Sequence, residues 1–423
     1  MADFNVMNRE TKKKQLRRQI VSADTGSQGG PRGSEDSEEV VRKAHRKVRR
    51  RRLLILLAVV ILIGVGAGAF FYYQRTYRFS SYETVWEVPI NEGSLVGYEA
   101  FGSNVLKYTK DGASYTDNKG KTVWTESYEM KNPTISVRGE YAAIADKQGN
   151  SIYICSKDGS MGNATTVLPV SKVAVSGTGI VAAVLEDSTS SYITFFKKDG
   201  SILDITIKTN VARDGYPLDV TFSQDGTQLM CSYIYLQNGE AKNRIVFYDF
   251  SEVGKNIPNR LVGGFDDPFK ETIAARVRYL GEPYSCAFSG SGLTFFSSRN
   301  LASPEMVKQV TVEEEILSIC YSEEYVGIVV QNNSGEFANR LEVYKKNGDF
   351  VMSRDFTYEY TDVDIDDDYI ILHNEDSCRI FNMAGVEKLY ATFDFTISRI
   401  RKGSLPNTLV VTGPQMMKEI KLQ

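Results

Sequence analysis

The segment Ser151-Ile152-Tyr153-Ile154-Cys155-Ser156-Lys157-Asp158-Gly159 sets a short apolar strand against a tight turn. The arrangement returns as Tyr192-Ile193-Thr194-Phe195-Phe196-Lys197-Lys198-Asp199-Gly200 and as Leu341-Glu342-Val343-Tyr344-Lys345-Lys346-Asn347-Gly348. Asp-Gly and Asn-Gly favour the primed turns that join antiparallel strands. Related turns stand at Thr116-Asp117-Asn118-Lys119-Gly120 and Asn382-Met383-Ala384-Gly385.

A second marker follows the first strand of each unit. It reads Phe101-Gly102-Ser103-Asn104, Arg138-Gly139-Glu140, Ser176-Gly177-Thr178-Gly179 and Ser223-Gln224-Asp225-Gly226, then Leu280-Gly281-Glu282, Ser322-Glu323-Glu324, Asp366-Asp367-Asp368 and Lys402-Gly403-Ser404. Successive turns lie about 36 to 56 residues apart, the spacing of β-propeller blades. One four-stranded sheet cannot cover both its faces, and radial stacking buries them. The expected fold is therefore all-β, an eight-bladed (alternatively seven-bladed) β-propeller. The last unit, Ile397 to Leu422, holds only three strands. An orphan strand, Glu83-Thr84-Val85-Trp86-Glu87-Val88-Pro89-Ile90, is available to complete it. The propeller is thus expected over 83–423, closed by strand 83–90 against the C-terminal blade.

Upstream, Leu53 to Tyr73 runs without a charge or a side-chain amide, long enough for a transmembrane helix. Residues 74–82 form a short linker. Arg42, Lys43, Arg46, Lys47 and Arg49 to Arg52 precede the span, whereas only Arg75 and Arg78 closely follow it. The positive-inside rule then puts the N-terminus in the cytoplasm and the propeller outside. The rival reading treats Ala67-Gly68-Ala69 as a signal-peptidase site, which also leaves the large body outside. Residues 1–52 read as a basic cytoplasmic tail. Its Gly-, Ser- and acid-rich stretch around Ser22–Glu39 is too polar to fold. Gly64 and Gly68 present a GxxxG face, the candidate for helix–helix packing in a homodimer.

Of 423 residues, 11% are aromatic, with Tyr 24 and Phe 21 but Trp only 2, a balance that favours strands. The net charge of -3 hides a basic tail and an acidic body. Five scattered cysteines, Cys155, Cys231, Cys286, Cys320 and Cys378, include no CxxC pair. They read as buried thiols, with a Cys286–Cys320 disulfide left open.

The stretch Ala113-Ser114-Tyr115-Thr116-Asp117-Asn118-Lys119-Gly120-Lys121-Thr122-Val123-Trp124 resembles the repeat of quinoprotein-type propellers, in which a strand, an Asp, a Gly turn and a Trp-bearing strand succeed one another. The layout from about Arg42 onward resembles an uncharacterised family of Gram-positive bacterial single-span proteins, a domain of unknown function with an external quinoprotein/WD40-like propeller. Quinoprotein enzymes would imply a quinone site. The near-absence of Trp after the first blade and the lack of a vicinal cysteine pair argue against carrying that site over.

The chemistry-bearing candidates are few. Asp366, Asp367 and Asp368 are a weak Ca²⁺ candidate. An EF-hand register from Asp362 fails, because Asp367 stands where Gly is needed and His373 where Glu is needed. His373 lies near Glu375 and Asp376, but no GxSxG or HExxH motif supplies a partner. The sequons at Asn163 and Asn332 read as chance in a bacterium. The longest departure from the repeat, 252–273, carries Phe265, Asp266, Asp267 and Phe269 as a candidate binding patch. The expectation is a membrane-anchored, extracytoplasmic binding or scaffold module of the cell envelope. It has no catalytic residues, no resident cofactor and no nucleic-acid partner, and its partners are the lipid bilayer and an envelope protein or glycan. The alternatives are a quinoprotein-like enzyme and a transmembrane sensor that signals through the tail.

Overall fold

A strand such as Val181–Glu186 is apolar on both sides and needs cover on both. The computed structural model describes residues 34–90, 95–102, 104–117, 119–333 and 336–423. Residues 1–33, with much of the expected disordered tail, lie outside the described residues, as do Ser103, Asn118 and Ser334. The chain divides into two units, Met1–Gln74 and Arg75–Gln423.

Among the described residues there is one α-helix, Ser34–Thr76, longer at both ends than the apolar run Leu53–Tyr73. Within it, the 22 residues Arg52–Tyr73 are apolar enough to cross a membrane, and none of that stretch is buried. Every backbone group of such a segment is satisfied within the helix, so lipid makes no further demand on it.

The second unit is a ring of eight four-stranded antiparallel sheets. Blades 1 to 7 occupy 95–127, 133–165, 170–210, 216–265, 274–311, 316–356 and 362–392. Each is a simple meander with its strands in chain order, the first innermost. Blade 8 takes three strands from the C-terminus, Arg399–Lys402, Thr408–Thr412 and Met416–Leu422, and its fourth from Tyr82–Pro89. Tyr82 lies opposite Leu422 and Pro89 opposite Met416. The seven-bladed alternative is excluded.

Radial sheets diverge, so side chains must grow outward. The second strand of blade 2 fills the narrow inner wedge with Ala142, Ala143 and Ala145, and that of blade 3 with Ala182 and Ala183. Further out, the third strands end on Phe195-Phe196, Phe247-Tyr248 and Phe295-Phe296, all buried. Small-inside, large-outside is the packing a wedge requires at interior density.

The outermost strand carries an extra residue in its pairing with the third. Val123, Val262, Val307 and Val351 mark it in blades 1, 4, 5 and 6. In blade 8 the register slips between Thr84 and Trp86, leaving Val85 in the same role. Such bulges raise the local twist. Thr84-Val85-Trp86 therefore occupies the same repeat position as Thr122-Val123-Trp124, and the chain's two tryptophans are equivalent. Trp86 Nε1 donates to Glu419 Oε2 at 2.7 Å, and Trp124 Nε1 to the Lys157 carbonyl at 3.0 Å.

Apolar clusters fill the seams between neighbouring blades. The seam between blades 7 and 8 is the largest, from Tyr369 through Leu422, with Tyr82 against it. Among the described residues, the seam between blades 8 and 1 buries Tyr98, Val105, Val410 and Met417, backed by Trp86 and Ile90. Removal of residues 1–90 strips the fourth strand of blade 8 and leaves Met416–Leu422 as a bare edge. The expected result is a lower urea midpoint than that of a chain truncated only to residue 74. Equal midpoints by circular dichroism would contradict the closing role.

Candidate functional site

Strands that run alternately up and down place two kinds of connection on opposite faces of the ring. One face holds the turns after first and third strands, and is called here the tight-turn face. The other holds the second hairpins and the interblade links, the linker face. The segment leading into Tyr82 joins at the tight-turn face, where Asn382 Nδ2 donates to the Arg75 carbonyl at 2.8 Å and Lys388 Nζ to that of Tyr77 at 2.5 Å.

The faces differ in charge. On the tight-turn face several cations are matched locally: Lys157 with Glu140 at 3.1 Å, Lys346 with Glu324 at 2.7 Å, Lys402 with Asp367 at 2.7 Å. On the linker face carboxylates outnumber cations, with Glu313, Glu315, Glu359, Glu375 and Asp376 all exposed. A surface of one sign attracts the opposite sign over about a Debye length, roughly 8 Å at physiological salt.

The axial channel is tied by three arginines of the first strands. Arg138 of blade 2 donates to Gln224 Oε1 of blade 4 at 2.9 Å and to the blade 5 carbonyls of Tyr279 and Leu280 at 2.7 and 3.2 Å. It therefore crosses the channel mouth at the tight-turn face, and burial lowers its pKa. Arg278 bridges Asp219 at 2.8 Å and the Tyr321 hydroxyl at 2.7 Å, joining blades 4, 5 and 6. Arg399 bridges Glu99 at 2.9 Å and Asp364 at 2.8 Å, joining blades 1, 7 and 8. Burial raises the Glu99 carboxyl above its usual range against the opposing pull of Arg399. The guanidinium's fixed fork suits such two-sided bridging.

An open concavity lies on the linker face between blades 3 and 4. Its volume is about 520 Å³, and Val211, Ala212, Tyr216, Ile234, Tyr235 and Leu236 form its apolar wall. That volume falls within the usual range of binding pockets, roughly 300–1,000 Å³. It exists because the second and third strands of blade 4, Gln228–Gln237 and Glu240–Asp249, outrun their neighbour. Tyr216 pairs with Ile234, so Tyr235 to Gln237 stand beyond the first strand.

A family model matches residues 74–422, from the end of the apolar run through the last strand. The chain belongs to a family of unknown function, DUF5711. Among solved structures the fold is similar to BamB from Moraxella catarrhalis, at 12% identity and a TM-score of 0.51, over 81% of this chain and 100% of that one. It is also similar to the Dos1 propeller, at 10% identity and a TM-score of 0.53, over 80% and 95% of the two chains. These likenesses establish the propeller fold. No curated protein matches.

In the DUF5711 propeller the sequence-predicted patch divides. The 252–273 stretch is not one projecting insertion. Residues 250–260 are a turn on the tight-turn face, Leu261–Phe265 is the outer strand of blade 4, and 266–273 is the link on the linker face. Phe269 is only 1% exposed and packs with Phe247 and Phe296, so it leaves the contact patch for the core. Phe265 meets the same two rings, Phe247 edge-on and Phe296 at a tilt. Asp266 is held by Arg244 at 2.6 Å and by the Tyr235 hydroxyl at 2.9 Å. Only Asp267, paired with Lys270 at 2.6 Å, is freely presented. Tyr235 and Leu236, which sequence reasoning passed over, form the groove beside them. The signal was the run Leu229–Leu236, apolar but for Ser232, in a strand of 10 residues where the second strands of the other blades have 5 to 7.

The Asp366–Asp368 run is filled by the chain's own cations. Lys402 Nζ reaches Asp367 at 2.7 Å and Asp368 at 2.6 Å, and Arg401 reaches Asp366 at 3.2 Å. Burial works against the Lys402 charge, but the two carboxylates outweigh it and push its pKa up to about 12. No group of three or more metal-ligating side chains forms among the described residues. His373 is buried, with Nδ1 3.2 Å from the Asn374 carbonyl. All five cysteines are buried and free, which leaves no Cys286–Cys320 bridge. Burial pushes the Cys155 and Cys378 thiols up to about 12, unfavourable for nucleophilic or redox work. Nothing lies within 4 Å of a Cβ built on Gly64 or Gly68, so the helix surface at both glycines is open.

Two outcomes follow. Phe269→Ala is expected to cost about 3–5 kcal/mol of stability, whereas Asp267→Asn changes it by less than about 0.5 kcal/mol, both by urea denaturation. Millimolar Ca²⁺, enough to load typical extracellular sites, is expected to leave the melting temperature unchanged. A calcium-dependent rise that persists in Glu375→Gln but vanishes in Asp367→Asn would restore the metal reading.

Proposed function

We propose that this chain is a membrane-anchored, extracytoplasmic propeller that acts as a non-covalent binding and scaffold module of the cell envelope. The apolar helix supplies the anchor, and the excess of Lys and Arg before it orients the N-terminus inward. The observation that carries the reading is the asymmetry of the ring. One face is charge-matched, while the other is acidic and holds an apolar groove. A rigid scaffold with variable connections on one face is a common layout for recognition.

The supporting structure is stiff. Three half-buried arginines each lock three blades, so the linker-face connections keep their spacing when a partner arrives. Preorganisation of this kind reduces the entropy lost on binding.

The test is photocrosslinking in intact cells, with a photoreactive residue placed at Glu375 or Glu359 on the linker face and at Lys198 on the tight-turn face. Specific envelope proteins or glycans are expected from the first two positions and not from the third. Capture only of abundant bystanders from all three would defeat the scaffold reading. Protease added to intact spheroplasts is expected to digest the propeller and spare the tail.

A further inference from the structure

The groove between blades 3 and 4 is more specific than an acidic face alone. Its walls are prebuilt. On one side the link after Thr209 is wound tightly: the Asn210 carbonyl accepts from the amides of Arg213, Asp214 and Gly215, and its side chain accepts from the amides of Ala212 and Arg213. On the other side Tyr235 is pinned through its hydroxyl to Asp266 and lies under the Arg244 guanidinium, 4.9 Å from the ring centroid. Between these walls Leu236 is 69% and Val211 37% exposed. The cost of leaving this surface in water amounts to about 25 cal/mol per Å².

The charge around the groove is uneven. Its cations are already engaged: Arg213 with Asp214 at 2.9 Å, Lys242 with Glu240 at 2.9 Å, Arg244 with Asp266 at 2.6 Å. Lys208 lies over the Tyr192 ring at 5.2 Å. Asp187 has its charge fixed by the amides of Thr189 and Ser190, which hold its carboxyl below the usual range. Glu186, next to it, ends the second strand of blade 3 beside Tyr216. Neither of these two carboxylates has a cation partner among the described residues. The surplus is therefore negative, and it continues across the linker face. A second copy presenting the same acidic face would be repelled, and an anionic lipid surface likewise.

We propose that this groove seats a short apolar segment of a partner polypeptide flanked by Lys or Arg. The apolar side chains would cover Val211, Tyr235 and Leu236, and the flanking cations would meet Glu186 and Asp187. The inference rests on the scaffold reading and narrows it to one site and one chemistry.

The test uses the full-length chain in detergent and three fluorescein-labelled nonapeptides with a common Leu-Phe-Leu core, flanked by Lys, by Ser or by Glu. Fluorescence anisotropy is expected to rank them Lys over Ser over Glu, with the Lys preference shrinking as salt rises. Leu236→Asp and Val211→Asp, both at exposed positions, are expected to weaken the Lys-flanked peptide about tenfold or more without lowering the melting temperature. Glu186→Gln is expected to cost roughly two- to fivefold, for the Lys-flanked peptide alone. Equal binding of the three peptides, or wild-type affinity in both groove variants, overturns the inference. So does a concentration-dependent dimer that Leu236→Asp abolishes, because the occupant would then be a second copy. Should the groove fail while crosslinks from Glu375 or Glu359 still capture an envelope partner, the scaffold reading stands and only this site is lost.

Discussion

The structure depends on one backbone pairing, that of Tyr82–Pro89 with Met416–Leu422. Every other strand pair joins neighbours in the chain, whereas this one joins its two ends. The entropy of closing a loop grows only slowly with its length, so the pairing is affordable even across the whole ring. Blade 8 has no complete sheet until both ends arrive. In the apolar seam between blades 8 and 1, Tyr98, Val105, Val410 and Met417 seal what the strand has brought together.

A ring closed by hydrogen bonds still needs its blades held at fixed angles. The wedge of small inner and large outer side chains does part of this, and the axial arginines do the rest. A buried ion pair adds little net stability, because desolvation offsets attraction. Its value here is in register: Arg399 reaches Glu99 on one side and Asp364 on the other, so both its Nη groups are paired only when blades 7, 8 and 1 stand in the correct order. Arg138 plays a similar part across the channel, bonded to carbonyls that no neighbouring blade could supply. The constraint that makes the ring also makes it a stiff platform, and its variable parts are left to the connections.

Those connections explain why the candidate site was only half legible. The acidic character of the body and the irregularity around blade 4 can be read along the chain, since both are local. The division of Phe265 to Phe269 between core and surface cannot. Phe269 follows a strand end and looks like any exposed loop aromatic until the link folds it back against Phe247. The groove needed two segments some twenty residues apart, Val211 and Tyr235-Leu236, to be brought face to face by blade packing. The Asp366–Asp368 run shows the reverse case: its ligand-like composition is real, but Lys402, from the next blade, occupies it.

By itself, the sequence determined the long apolar run, the blade repeat and the position of the closing strand, while the choice of eight blades over seven came from the sheet topology. The first three each follow from a local pattern: an uninterrupted apolar run, a recurring turn, and an orphan strand beside a three-stranded unit. The Thr-Val-Trp pair at Thr84–Trp86 and Thr122–Trp124 was a further sign, visible in the chain but interpretable only once the bulge was seen. Tertiary structure alone decided which face is acidic, which arginine crosses the axis, which aromatics are core and where a groove opens. Those properties belong to pairs of blades, and the distance between blades is set by how whole sheets pack, which no short stretch of residues encodes.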